Sequence, residues 1–455
     1  MTNKTHNWHQ AIGFVLVLFQ MTSVSGEVMP EKLSINRAID MAQRNDPWLD
    51  ASKFTQSKLE ATAIAAGQLD DPTVSLGIAN IGADRFDFNQ EPMTQFKVGL
   101  TQMFPRGNTQ EIKSEQLSLM ANEQPLLRKN RLALLKKQTS IYWLEAFRAQ
   151  MSLSLIEQDR PLFEQLIDLV EASYSSGFGK TRQQDLIRAE LELTRLDDRL
   201  TVLDQAYEKS LEQLKGLINE PHGNLGYSTE QVSYFLGSEL PSTSDQNVLS
   251  IGNDELLNAL MMHPAIKAMD IQIEAEGKGI ELAEQKYKPA WGLNASYGYR
   301  DDAENGINRA DLFSIGVTFE LPIFTKNRQD QSLKAALHSV DSKESQKALL
   351  LRELVASFES AKAQLIRLNE RNELYEHTLL PQMNEQAEAS LNAYTNDDGD
   401  FAEVIRARIA ELNAQIDALT IKVDIAKANA QINYLLTGKE NLHKSQLESV
   451  ENDNE

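Results

Sequence analysis

The sequence contains no cysteine. Disulfides, thiolate zinc sites, iron–sulfur clusters and cysteine nucleophiles are excluded, as is a lipid anchor on an N-terminal cysteine. Positive charge is scarce: 45 Lys and Arg stand against 66 Asp and Glu, a formal net charge of −21 over 455 residues. So acidic a chain lacks the basic footprint that displaces counterions from phosphate, which argues against nucleic acid as a partner. Long apolar runs are missing too. Nothing beyond the N-terminus reaches the ~18 consecutive apolar residues of a spanning helix, and the mean hydropathy is −0.41. These counts argue against a polytopic helical membrane protein. With 41% hydrophobic residues, the chain is nonetheless too apolar for wholesale disorder.

What is present begins with a leader. Lys4 precedes an apolar run from Ala11 to Phe19, and small residues follow at Ser23, Ser25 and Gly26. This pattern predicts a secretory signal peptide over 1–26, cleaved after Ser25 or Gly26. The run is too short to span a bilayer.

The remainder is duplicated. Pro47, Pro72, Gly99, Thr101 and Pro105 recur as Pro264, Pro289, Gly316, Thr318 and Pro322, all at an offset of 217. Tyr174 with LIRAELEL (186–193) recurs as Tyr394 with VIRARIAEL, in a register shifted by two or three residues. The expected organisation is a first repeat over 27–217, an irregular Gly-, Ser-, Asn- and Pro-containing connector over 218–252, a second repeat over 253–437 and an acidic, flexible tail over 438–455. Each repeat reads as helix, two strands, long helix, tight turn and return helix. The opening helix is expected from Leu33 to Gln68 with a break or kink at Pro47, and long helices from Pro105 to Ser173 and from Lys326 to Ala393, kinked at Pro125, Pro161 and Pro381. In the second return helix Ile405, Ile409, Leu412, Ile416, Leu419, Val423, Ala426 and Ala430 follow an alternating 4,3 spacing. That period describes a coiled-coil seam, and an ordinary bundle core fits it as well.

Four short segments alternate with period two: Val74 to Ile78, Phe96 to Leu100, Trp291 to Tyr299 and Phe313 to Phe319. A soluble four-stranded sheet over a core is one reading. Transmembrane β-strands are the other, with Phe96, Trp291, Tyr297, Phe313 and Phe319 facing lipid. In hydrocarbon a sheet must close, and four strands cannot. Two chains give eight strands with a filled interior, and three give twelve with room for water. The architecture expected is therefore mainly α with transmembrane β: a homotrimeric 12-stranded barrel, four strands per chain, continued by a long helical coiled-coil barrel.

This arrangement, with the NDP at Pro47, the strand–proline boundaries and the segments following Tyr174 and Tyr394, resembles the TolC family of outer-membrane efflux and secretion ducts. The likeness runs from Leu33 to about Gly438. YSSGFGKTRQQDLIRAELEL (174–193) is most similar to the branch serving heavy-metal pumps of the resistance–nodulation–division type. The resemblance implies a passive, cofactor-free channel in the Gram-negative outer membrane that extends into the periplasm. It implies as partners two further copies of the chain, outer-membrane lipid, a periplasmic adaptor and an inner-membrane pump. It also implies a periplasmic constriction at Asp397, Asp398, Asp400, Glu403 and Arg406, and partner contacts at the helical tips through Tyr174, Gly177 and Tyr394. Arg406 departs from the family pattern, which has a second acid there, and Asp397 stands where a turn glycine is common.

Other chemistries find no support. No two of the seven histidines are paired at i,i+4 for a metal, and GFGK at 177–180 lacks phosphate-loop spacing. No nucleophile–base constellation appears, and no enzyme is expected. The alternatives are a duct for type I protein secretion and a periplasmic coiled-coil scaffold without a barrel.

Overall fold

A computed structural model describes residues 32–176, 183–219, 235–236, 249–303, 305–396 and 399–438. The leader, the tail beyond Gly438 and most of the connector lie outside the described residues.

The first repeat opens with a two-residue strand, β1 (Lys32–Leu33), followed by α1 (Ile35–Arg44) and α2 (Pro47–Ala66). The single helix expected from Leu33 is therefore two, for a local reason. Ser34 caps α1 by accepting from Arg37 N at 3.3 Å, and Asp46 caps α2 by accepting from Trp48 N at 3.3 Å. Pro47 then occupies the first helical position, where its missing N–H costs no bond. Strands β2 (Thr73–Ala79) and β3 (Gln95–Phe104) lead into α3 (Thr109–Ser176) and α4 (Gln183–Ile218). The connector is not wholly irregular, because its strand β4 (Phe235–Leu236) pairs in parallel with β1.

The second repeat follows the same plan. Helices α5 (Asn253–Met261) and α6 (Pro264–Gln285) precede β5 (Ala290–Tyr299), β6 (Leu312–Glu320), α7 (Gln329–Leu374), α8 (Leu380–Thr395) and α9 (Phe401–Leu435). Pro264 opens α6 as Pro47 opens α2, and His263 takes the place of Asp46: its Nδ1 accepts from Ala265 N at 3.2 Å.

At 68 residues α3 extends ~100 Å. Pro125 and Pro161 lie within this one continuous helix. Pro381 behaves differently, because it follows a π turn over Tyr375–Leu379 that separates α7 from α8. A π turn holds one residue more than the α-helical turn it replaces. It absorbs one residue of the register shift between the repeats.

Each long helix folds back on its return helix, α3 on α4 and α8 on α9. The two return helices differ in burial. Helix α4 buries one stripe, including Leu196, Ser210 and Leu214, as a single seam requires. Helix α9 contacts α3, α4, α7 and α8 and buries residues around most of its circumference. The single seam expected for α9 is thus only part of its buried surface. Three apolar cores run along the helical body: one around Phe358 and Leu365, one around Trp143 and Phe147, and one around Phe163 and Leu166 near the α8–α9 turn.

Candidate functional site

The four longer strands form one antiparallel sheet in the order β2-β3-β5-β6. Its register sorts the side chains by face. Leu76 opposes Val98, which opposes Tyr297, which opposes Phe313. Val74, Leu100, Ala295 and Ile315 form the next row, and Gln102, Leu293 and Val317 the one after it. Phe104, Trp291 and Phe319 close the end nearest the helices, where the Phe104 and Trp291 rings stack at 4.0 Å. At the loop end Ile78, Phe96 and Tyr299 form a further row.

The apolar positions of all four strands therefore fall on one face, and that face is bare. Leu76 is 68% exposed, Phe313 72% and Ile315 69%. A soluble sheet would bury this face against a core. The five lipid-facing candidates, Phe96, Trp291, Tyr297, Phe313 and Phe319, all lie on it, near its two ends, with mostly aliphatic rows between. The two aromatic ends, Trp291 and Tyr299, stand eight residues apart on β5, about 26 Å along the strand. This matches an apolar band edged by aromatic girdles. Among the described residues no helix is long and apolar enough to cross a membrane.

The periplasmic end of this sheet is tied to the helices by Arg106. Its guanidinium donates to the carbonyls of Lys286 at 3.1 Å and Lys288 at 2.8 Å, beyond the C-terminus of α6, and pairs with Glu320 at the end of β6. Beside it Gly107 turns with φ of +48°, and an added Cβ would collide with Gln285 Oε1.

At the opposite pole lies the α8–α9 turn. Asp400 caps α9 by accepting from Ala402 N at 3.1 Å. Glu403 and the more exposed Arg406 pair at 3.0 Å along the same helix, and Arg406 Nε also donates to Ala402 O at 3.1 Å. Within the chain Arg406 thus neutralises Glu403. Tyr394 is half-buried, its ring 5.6 Å from that of Phe401, whereas Tyr174 at the end of α3 is exposed. Asp397, Asp398 and Gly177 lie outside the described residues.

A charged group next to this turn escaped the sequence reading. Arg408 is 9% exposed, and it donates to Glu411 at 2.9 Å and to Glu388 of α8 at 2.6 Å. Asn384 donates to Glu411 at 2.8 Å. Burial first, then repulsion from Glu411, holds Asp159 of α3 above the ordinary carboxylate range, with Arg408 opposing. The available signal was an i,i+3 Arg–Glu pair set among Ala407, Ile409, Ala410 and Leu412.

A bare apolar sheet on long helical hairpins is the build of a membrane channel that crosses with strands. Residues 256–438 match the family described as outer membrane efflux protein. Among solved structures, the outer membrane protein VceC of Vibrio cholerae aligns with a TM-score of 0.72 at 14% identity, over 88% of this chain and 95% of its own. The CmeC outer membrane channel of Campylobacter jejuni aligns at 0.72 and 13%, over 89% and 85%. CusC, described in terms of transmembrane channel formation, aligns at 0.68 and 15%, over 88% and 91%. At these identities the likenesses are of fold. No curated protein sequence matches the chain. The family match covers most of the second repeat, while the likeness of fold extends over both repeats.

Proposed function

We propose that the protein is the exit duct of a tripartite efflux system. Three chains close their sheets into a 12-stranded barrel in the outer membrane, and their helices continue it as a tube through the periplasm. The observation that carries this reading is the bare apolar face of the four-stranded sheet, which has unpaired edges at β2 and β6. Hydrocarbon accepts the face but not the edges, so further strands must complete the sheet.

A periplasmic adaptor and an inner-membrane pump of the resistance–nodulation–division type deliver the cargo, metal cations or small toxic compounds, and the duct conducts it passively. The tips carrying Tyr174, Gly177 and Tyr394 meet these partners. The turn with Asp397, Asp398, Asp400 and Glu403 forms an acidic aperture that focuses negative potential and favours cations, and Arg406 moderates it. The resemblance of 174–193 to the heavy-metal branch supports a metal cargo.

Susceptibility of a deletion strain tests the cargo. Sensitisation to metal salts supports a cation duct, and sensitisation to organic toxicants alone points to small molecules. No change in either, with loss of a secreted protein, would favour type I secretion.

A further inference from the structure

We infer the residue register with which β6 of one chain pairs with β2 of the next. The inference rests on the trimeric reading above and goes beyond it, because it fixes which side chains meet at the seam.

Within one chain the junction between the two hairpins is β3–β5, in which Phe96 faces Tyr299 and Phe104 faces Trp291. The repeat relates β6 to β3 and β2 to β5 at an offset of 217. The junction between chains is therefore a copy of β3–β5. Carried across by that offset, Thr101 facing Asn294 becomes Thr318 facing Gly77 of the neighbouring copy. Likewise Phe104 facing Trp291 becomes Leu321 facing Val74, and Leu100 facing Ala295 becomes Val317 facing Ile78.

The chemistry of the seam agrees. Val74, Leu76 and Ile78 meet Leu321, Phe319 and Val317, all at least half-exposed in the single chain. Small and polar residues, Ser75 and Gly77 against Glu320 and Thr318, meet on the other face. A slip of one residue would set the apolar row against Glu320 and Thr318 and is excluded, because it exchanges the faces. A slip of two preserves the faces, and the two hairpins themselves differ by that amount: Thr73 faces Thr101, whereas Ala290 faces Glu320 rather than Thr318.

Barrel geometry bears on that slip. Sideways from Val74 the partners are Leu100, Ala295 and Ile315. In the inferred register Ile315 then falls level with Asn80 of the next chain, one residue past the end of β2 and six beyond Val74. Three such climbs across twelve strands, at ~3.3 Å per residue and ~4.8 Å between strands, tilt the strands by about 46°. Slipping two residues upward raises the tilt to about 54°, outside the ~35–45° of outer-membrane barrels, whereas slipping downward gives about 35°, within it, so tilt rules out the upward slip alone.

The absence of cysteine makes disulfide mapping direct. In the full chain, Thr318→Cys is combined in turn with Ser75→Cys, Gly77→Cys and Ala79→Cys, oxidised in outer membranes and resolved on denaturing gels. An added Cβ at Gly77 meets nothing within 4 Å. The expected result is covalent dimers and trimers at highest yield with Gly77→Cys, and at least several-fold less with the other two. Highest yield with Ser75→Cys or with Ala79→Cys overturns the register. A second pair, Ser75→Cys with Glu320→Cys, must cross-link as well, and its failure in a protein of trimeric native mass also overturns it. A native mass of one chain for the parent protein overturns the trimeric reading instead, so the two failures are distinguishable.

Discussion

Leu100 and Thr101 are neighbours on β3 that point to opposite faces, and they separate a lipid-facing sheet from any other kind. Leu100 sits in the middle one of the five side-chain rows, between the Phe104 and Phe96 ends, and is 49% exposed in the chain. If that face meets hydrocarbon, Leu100→Arg places a guanidinium near the bilayer midplane at a cost of about 2–4 kcal/mol per protomer. That is roughly a 30- to 700-fold loss in the folding equilibrium. Thr101→Arg points the same charge into the barrel, where water is available, and should cost less than about 1 kcal/mol. Equilibrium unfolding in denaturant, with both variants in lipid vesicles and compared with the parent, measures the difference. Equal destabilisation by the two substitutions, or a greater loss from Thr101→Arg, would refute the assignment of faces.

Other consequences follow from single sites. Arg106→Ala removes a charged donor from the Lys286 and Lys288 carbonyls and should lower stability by about 1.5–3 kcal/mol. The exposed Glu320 adds little, so Glu320→Gln measured by thermal unfolding should shift the midpoint far less. Burial lowers the pKa of His263 below its usual 6.5, against the opposing bond to Tyr434 O. The unfolded chain then takes up a proton that the folded chain refuses. Stability is full above about pH 6.5 and falls as the pH drops from there towards the lower folded-state pKa. His263→Asn keeps a capping side chain and should flatten that slope in denaturation midpoints between pH 7.5 and 5; an unchanged slope would place its origin elsewhere. Arg408→Ala leaves Glu411 buried beside Asp159 and should cost about 3–5 kcal/mol. Adding Glu411→Gln should recover part of the loss in the same unfolding assay, and no recovery would mean that the two charges are not coupled. Glu403→Ala should reduce cation preference in single-channel recordings, and unchanged reversal potentials across a salt gradient would count against an acidic aperture.

Much of this was legible in the sequence because the signals are local. Pro47 signalled a break in the opening helix through its own ring geometry, although the start of a separate helix there was not read, and the alternation in the strands needs only a pleat to become two faces. The duplication carried the rest, since each repeat checks the other. What was illegible depends on distant partners. That β4 pairs with β1 involves residues some 200 apart with no pattern of their own. Arg106 reads as an ordinary loop cation until the carbonyls beyond α6 come beside it. The π turn before Pro381 leaves only a slipped register as its trace. Helix α9 kept the heptad spacing of a simple seam because its small residues, such as Ala407, Ala414 and Ala418, let neighbours approach on the other sides as well. At the α8–α9 turn, residue type alone did not show that Arg406 would turn back on Glu403.

The central claim is that one chain is a third of a pore. The measurement that tests it most directly is the native mass of the mature protein extracted from outer membranes in mild detergent. The account predicts a complex of three chains. A monodisperse monomer, stable and folded without its neighbours, would contradict it.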